Sequence, residues 1–163
     1  MCPIMNSLRF WSIAVVLLLG FRFAQGQTAT HTVTVGVAAI TLVQVSSGTV
    51  GMTITGASAV AGQDLMTATD QSTSLLWGVN SSARKVTIRT TLASPVFTLK
   101  AEALNPTQGT AAAQVNLSTT DQDFLLNIGR SMGTCTILYT GDALASQGTG
   151  TDPHTILFTV VTQ

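Results

Sequence analysis

The chain has 163 residues, with seven Lys/Arg against seven Asp/Glu, and only 9% of its residues are charged, where soluble domains average roughly 25%. That balance excludes a basic nucleic-acid-binding protein, because holding phosphates takes clustered Lys and Arg. A hydrophobic fraction of 45% can supply a core and excludes wholesale disorder.

Met1 to Gly26 reads as a secretory signal peptide. Arg9 supplies the positive region, and Phe10 to Phe21 (FWSIAVVLLLGF) is an uncharged apolar stretch. It is short of the roughly 20 residues that a spanning helix needs. Ala24-Gln25-Gly26 offers small residues for cleavage before Gln27. The remainder, 27–163, reads as a single domain with five Lys/Arg against seven Asp/Glu, a net charge of −2. No second segment of spanning length follows, so no membrane span is expected in the mature chain.

The mature part holds all 27 threonines of the sequence. β-Branched side chains fit the pleated surface of a sheet. Period-two alternation marks short strands at Thr30–Val37 (THTVTVGV), Ile40–Val45 and Val50–Thr55. Gly62–Asp70 is the nearest approach to a helix, and is otherwise a loop. Strands follow at Leu75–Val79, Lys85–Thr91 (KVTIRTT) and Phe97–Ala103, then at Gln114–Thr119, Phe124–Ile128 and Cys135–Thr140. Asn105–Ala113 and Gly141–Pro153 read as loops. The last strand, Thr155–Thr162, is apolar on both faces, which predicts a central position covered on both sides. Nine or ten short strands spaced by turn residues predict an all-β fold, an antiparallel sandwich or barrel.

The residues that carry chemistry are few. Nucleophilic catalysis needs a hydroxyl or thiol, a base and an orienting acid, but His31 and His154 stand in no motif and no G-x-S-x-G elbow occurs. Zinc takes three or four Cys, His or carboxylate ligands at close spacing, and two distant histidines with Cys135 do not make that pattern. Cys135, the single cysteine after the leader, reads as a buried small hydrophobe or as an intermolecular link. Asp121 and Asp123 are the best calcium candidates, weighed against a solvated turn, because a Ca²⁺ site needs six to eight oxygens. Asp142 and Asp152 come second. Glu102, beside Lys100 on the polar face of a strand, reads as a member of a cross-strand ion pair. Trp77 reads as core or as a platform for a sugar. No catalytic residue, metal site or cofactor is expected.

The segments Ser74-Leu-Leu-Trp77-Gly-Val-Asn80-Ser-Ser, Arg84-Lys-Val-Thr-Ile, Leu117-Ser-Thr-Thr120 and Thr136-Ile-Leu-Tyr139-Thr stand between a Thr-Val first strand and a Thr-rich last one. In this order they resemble small exported β-sandwich proteins of bacterial surfaces, fimbrial-type subunits included. The resemblance implies an antiparallel immunoglobulin-like β-sandwich. The expected function is that of an exported, non-catalytic structural protein, a subunit of a cell-surface filament, fimbria or coat. Its partners would be further copies of itself or another cell-surface protein, met by strand addition through the first and last strands. The alternative is an extracellular carbohydrate- or protein-binding module that uses Trp77 or the Gly141–Pro153 loop, with Asp121 and Asp123 as further contact candidates.

Overall fold

The computed structural model describes residues 28–163. The predicted signal peptide lies outside the described residues. The chain divides into two units, Met1–Gly36 and Val37–Gln163. The described part of the first, residues 28–36, is exposed and has no helix or strand.

The second unit is an all-β structure of two antiparallel sheets. Its strands are β1 (Thr41–Val45), β2 (Leu65–Val79), β3 (Arg84–Thr90), β4 (Thr98–Leu104), β5 (Thr110–Ala111), β6 (Val115–Asn116), β7 (Gln122–Ile128), β8 (Ser131–Leu144) and β9 (Ile156–Thr162). One sheet has the order β1-β2-β8-β4-β6 and the other β5-β7-β3-β9. Short 3₁₀ turns at Gly56–Ser58 and Ala145–Gln147 complete the regular structure.

Alternation along the strands builds one apolar layer from both sheets. β2 contributes Leu75, Trp77 and Val79, and β8 contributes Cys135, Ile137 and Tyr139. From the second sheet come Val86, Ile88, Phe124, Leu125 and Ile128. Fully burying a side chain such as Leu75 or Ile137 stabilises by about 1.5–3 kcal/mol. The ring of Phe124 meets that of Phe158 edge to face, with centroids 5.3 Å apart. Two groups in this layer lack a hydrogen-bond partner, Thr73 Oγ1 and Trp77 Nε1, both on β2.

Four expectations need correction. Thr30–Val37 does not form a strand. It pairs with no neighbour, and an isolated strand cannot satisfy its backbone. Val50–Thr55 is not a strand either, although Val50, Met52 and Ile54 alternate half-buried with exposed neighbours. The helix candidate Gly62–Asp70 is the first half of β2, paired with β8 from Leu65↔Leu144 to Asp70↔Tyr139. A bulge between Asp70 and Thr73 explains why the alternation hid it. The extra residue switches the inward set from even positions (Met66, Ala68) to odd ones (Leu75, Trp77), so no single period spans the strand. Asp70 caps the bulge by accepting hydrogen bonds from Ser72 N–H (3.0 Å) and Ser72 Oγ–H (2.7 Å).

The fourth correction concerns β9. It lies at an edge, paired with β3 alone. Its inner face (Ile156, Phe158, Val160) packs on the core. On its other face the half-buried Leu157 and Val161 stand opposite Arg89 and Lys85.

Trp77 opposes Gly133 across the β2–β8 ladder. A methyl at position 133 would overlap the indole ring, whereas at Gly129 it would meet open space. Gly133→Ala is expected to cost about 1–3 kcal/mol in urea unfolding, against a small change for Gly129→Ala.

Candidate functional site

Three places gather the polar and reactive groups. The first is the outer face of the β5-β7-β3-β9 sheet. Lys85 Nζ lies 2.6 Å from Asp123 Oδ1, and Arg89 Nε lies 3.4 Å from Asp121 Oδ1. β7 and β3 bring these groups together through the pairing Thr87↔Asp123. The two carboxylates named as calcium candidates thus each face a cation. Among the described residues, no three His, Cys, Asp or Glu side chains gather as a metal would require.

The second is a groove of about 390 Å³ on the other sheet, lined by Thr98, Lys100, Asn116, Asp142, Leu144 and Gln147 among others. Its centre is an ion pair. Lys100 Nζ lies 2.6 Å from Asp142 Oδ2, and Thr67 Oγ1 donates to Asp142 Oδ1 at 2.6 Å. Burial by itself would raise the Asp142 carboxyl. The hydrogen bonds from Lys100 and Thr67, with the charge of Lys100, outweigh burial and hold it below the usual carboxylate value. A cross-strand ion pair was expected at Glu102, but on β4 it forms at Lys100, with Asp142 of β8. β8 runs on to Leu144, well past the predicted end at Thr140, and this extension carries Asp142 onto the outer face opposite Thr67 and Thr98. Continuing the alternation of Cys135, Ile137 and Tyr139 through Gly141 to Ala143 would have found it.

The third place is the rim. β1 and β9 are open edges of five and seven residues on the same side of the molecule, and they contact one another. The opposite edges, β5 and β6, are stubs of two residues each. Beside β1, the outer face carries Leu42 and Met132, both exposed and in one cross-strand row on either side of Gly78.

The remaining candidate residues are committed to the structure. Trp77 is 3% exposed and lies in the core, so it offers no face to a sugar arriving from solvent. Cys135 is buried and free, and burial pushes its thiol up to about 11, against the lowering effect of a backbone hydrogen bond at Leu75. Burial, reinforced by the charge of Asp70, raises Tyr139 to about 12. His154 Nδ1 lies 3.1 Å from Thr90 Oγ1, which accepts from Leu92 N–H at 3.2 Å. Burial holds the His154 imidazole below its usual value, opposed by Asp152. The Gly141–Pro153 segment is fastened to the β3–β4 connection, because Gln147 Nε2 donates to the Val96 carbonyl and Asp152 Oδ2 accepts from Phe97 N–H. No helix among the described residues is long and apolar enough to cross a membrane.

A scan against protein-family models and a search of curated proteins found no match to this chain.

The Asp142 site has a pH signature. Its folded value lies below the unfolded one, so its contribution to stability is present above the usual carboxylate range. It is lost as pH falls through the folded value. Asp142→Asn is expected to lower stability at pH 7 by about 1–2 kcal/mol and to flatten the acid limb of a plot of unfolding free energy against pH.

Proposed function

We propose that this chain is an exported, non-catalytic structural protein, a subunit of a cell-surface filament, fimbria or coat that assembles through its strand edges. The finer fold reading that goes with it is an immunoglobulin-like β-sandwich. The observation that carries the proposal is β9. It has the two-faced apolar sequence of a central strand, yet it lies at an edge with one neighbour. Open edges are templates for pairing with another chain, and proteins that stay single usually blunt them with short strands, inward charges or bulges. β5 and β6 are short, as that rule asks. β9 spans seven residues with no charged side chain in Ile156–Thr162. A low charge content also leaves little repulsion between copies.

A second reading, an extracellular carbohydrate- or protein-binding module, draws on the groove around Lys100 and Asp142. Thr98, Asn116 and Gln147 line it with hydroxyl and amide groups, the kind of polar partners that fix a small polar ligand. A glycan array probed with the exported protein tests this reading. The expected result under it is a signal lost on Asn116→Ala, with the melting temperature unchanged.

The assembly reading is tested by sedimentation velocity and negative-stain microscopy across a concentration series. Oligomers growing with concentration are the expected outcome. A single monomeric species at the highest concentration reached would count against it.

A further inference from the structure

Three asparagines of this chain are followed two residues later by a serine or threonine: Asn80, Asn105 and Asn116. In an exported chain, Asn-x-Ser/Thr offers its asparagine amide as the acceptor of an N-linked sugar, provided that the middle residue is not proline. Pro106 disqualifies Asn105, so Asn80-Ser-Ser82 and Asn116-Leu-Ser118 remain. The fold treats these two differently. Asn80 is half-buried, and both ends of its carboxamide are in use. Its Oδ1 accepts from Ile40 N–H at 2.8 Å, and its Nδ2 donates to the Ala38 carbonyl at 2.6 Å. A sugar on that nitrogen would replace one of its two hydrogens and set a ring against the backbone of residues 38–40. Asn116 is exposed on β6, an edge strand. Its register partner is Lys100, so the two side chains share the outer face, while Leu117 beside it is buried. The Asn116 carbonyl accepts from Gln122 Nε2 at 2.7 Å. Among the described residues, the carboxamide itself has no hydrogen-bond partner.

We infer that Asn116 carries an N-linked oligosaccharide in the exported protein and that Asn80 does not. The inference rests on the export that the proposed function includes, and on neither its assembly nor its sugar-binding reading. The co-reactant is an oligosaccharide carried on a lipid pyrophosphate, presented by a membrane-bound transferase. The Asn116 amide nitrogen attacks the anomeric carbon of the first sugar, and an N–C bond forms. The C–O bond to the phosphate breaks, the lipid pyrophosphate leaves with the electron pair, and the amide proton passes to a base of the transferase. Nothing is oxidised or reduced. Attachment precedes folding, because in the fold Leu117 is buried and the Ser118 hydroxyl accepts from Gln122 Nε2 at 3.1 Å. The finished fold then accommodates a sugar at one position and not at the other. At Asn116 the groove provides a wall of matching chemistry. Thr98 lines it with a hydroxyl, and Lys100 gives one donor to Asp142 and has others left for sugar hydroxyls. A bulky, hydrated chain there also covers the free edge of β6. At Asn80 the same addition would break into the contact that holds residues 38–40.

The test reads the full chain as its own cells produce it. The protein is recovered from the cells and from outside them, and its intact mass shows whether the leader has been removed. An amidase that splits the sugar–asparagine bond is applied in heavy-oxygen water, which marks each released site as a labelled aspartate in the peptide map. The expected result is a label at Asn116 and none at Asn80. Asn116→Gln and Ser118→Ala are each expected to lose the sugar completely, and Ser118→Thr to keep it. Attachment directed by exposure alone would not depend on residue 118. All of these are mass readouts, and they hold whether or not a variant folds as well as the unaltered chain. An exported, leader-free chain with Asn116 bare overturns the inference and leaves the export reading standing, and so does a label at Asn80. A chain kept inside the cell with its leader uncut removes both.

Discussion

A strand inside a sheet has its backbone donors and acceptors matched on two sides, whereas a strand at the rim has them matched on one. This difference governs the molecule. β2 and β8, of fifteen and fourteen residues, are paired on both sides and carry Leu75, Trp77, Cys135, Ile137 and Tyr139 into the apolar layer. β3 does the same in the other sheet with Val86 and Ile88. Everything at the rim is less well satisfied. The shortest edges, β5 and β6, leave little backbone unmatched, while β1 and β9 leave most of it together on one side. An unmatched backbone group at an edge is cheap only while water reaches it, so a long open edge with an apolar inner row is the least settled part of the fold.

Legibility in the sequence followed the same division. β3, β4 and β7 were readable to within a residue or two, because the inward rows of β3 and β4 (Val86 and Ile88, Ala101 and Ala103) keep a simple alternation, and β7, although its register against β3 shifts twice, is a short apolar run bounded by turn residues. β2 was half lost, since the bulge at Asp70–Thr73 changes which parity faces inward. β8 was cut short, because Gly141 and Asp142 look like turn residues until Ala143 is seen to resume the inward row. Strand position within a sheet was not legible at all for β9, because Leu157 and Val161 make its outer face as apolar as that of a covered strand. The Lys100–Asp142 pair depends on the β4–β8 register, a non-local fact. Trp77 could be read as core or as platform until Gly133 was found beneath its ring.

The groups with chemical potential are used as structure. The thiol of Cys135 and the phenol of Tyr139 are both raised by burial, which keeps them neutral at physiological pH. A thiol must lose its proton to act as a nucleophile. The Thr90 hydroxyl accepts from Leu92 N–H and lies against His154 Nδ1, so its proton is free to go to the imidazole, an arrangement that suits a neutral ring. The same contact ties the segment that precedes β9 to the end of β3. Asp121, Asp123 and Asp142 each face a Lys or Arg. With so few charges in the chain, pairing them across strands leaves the surface nearly neutral.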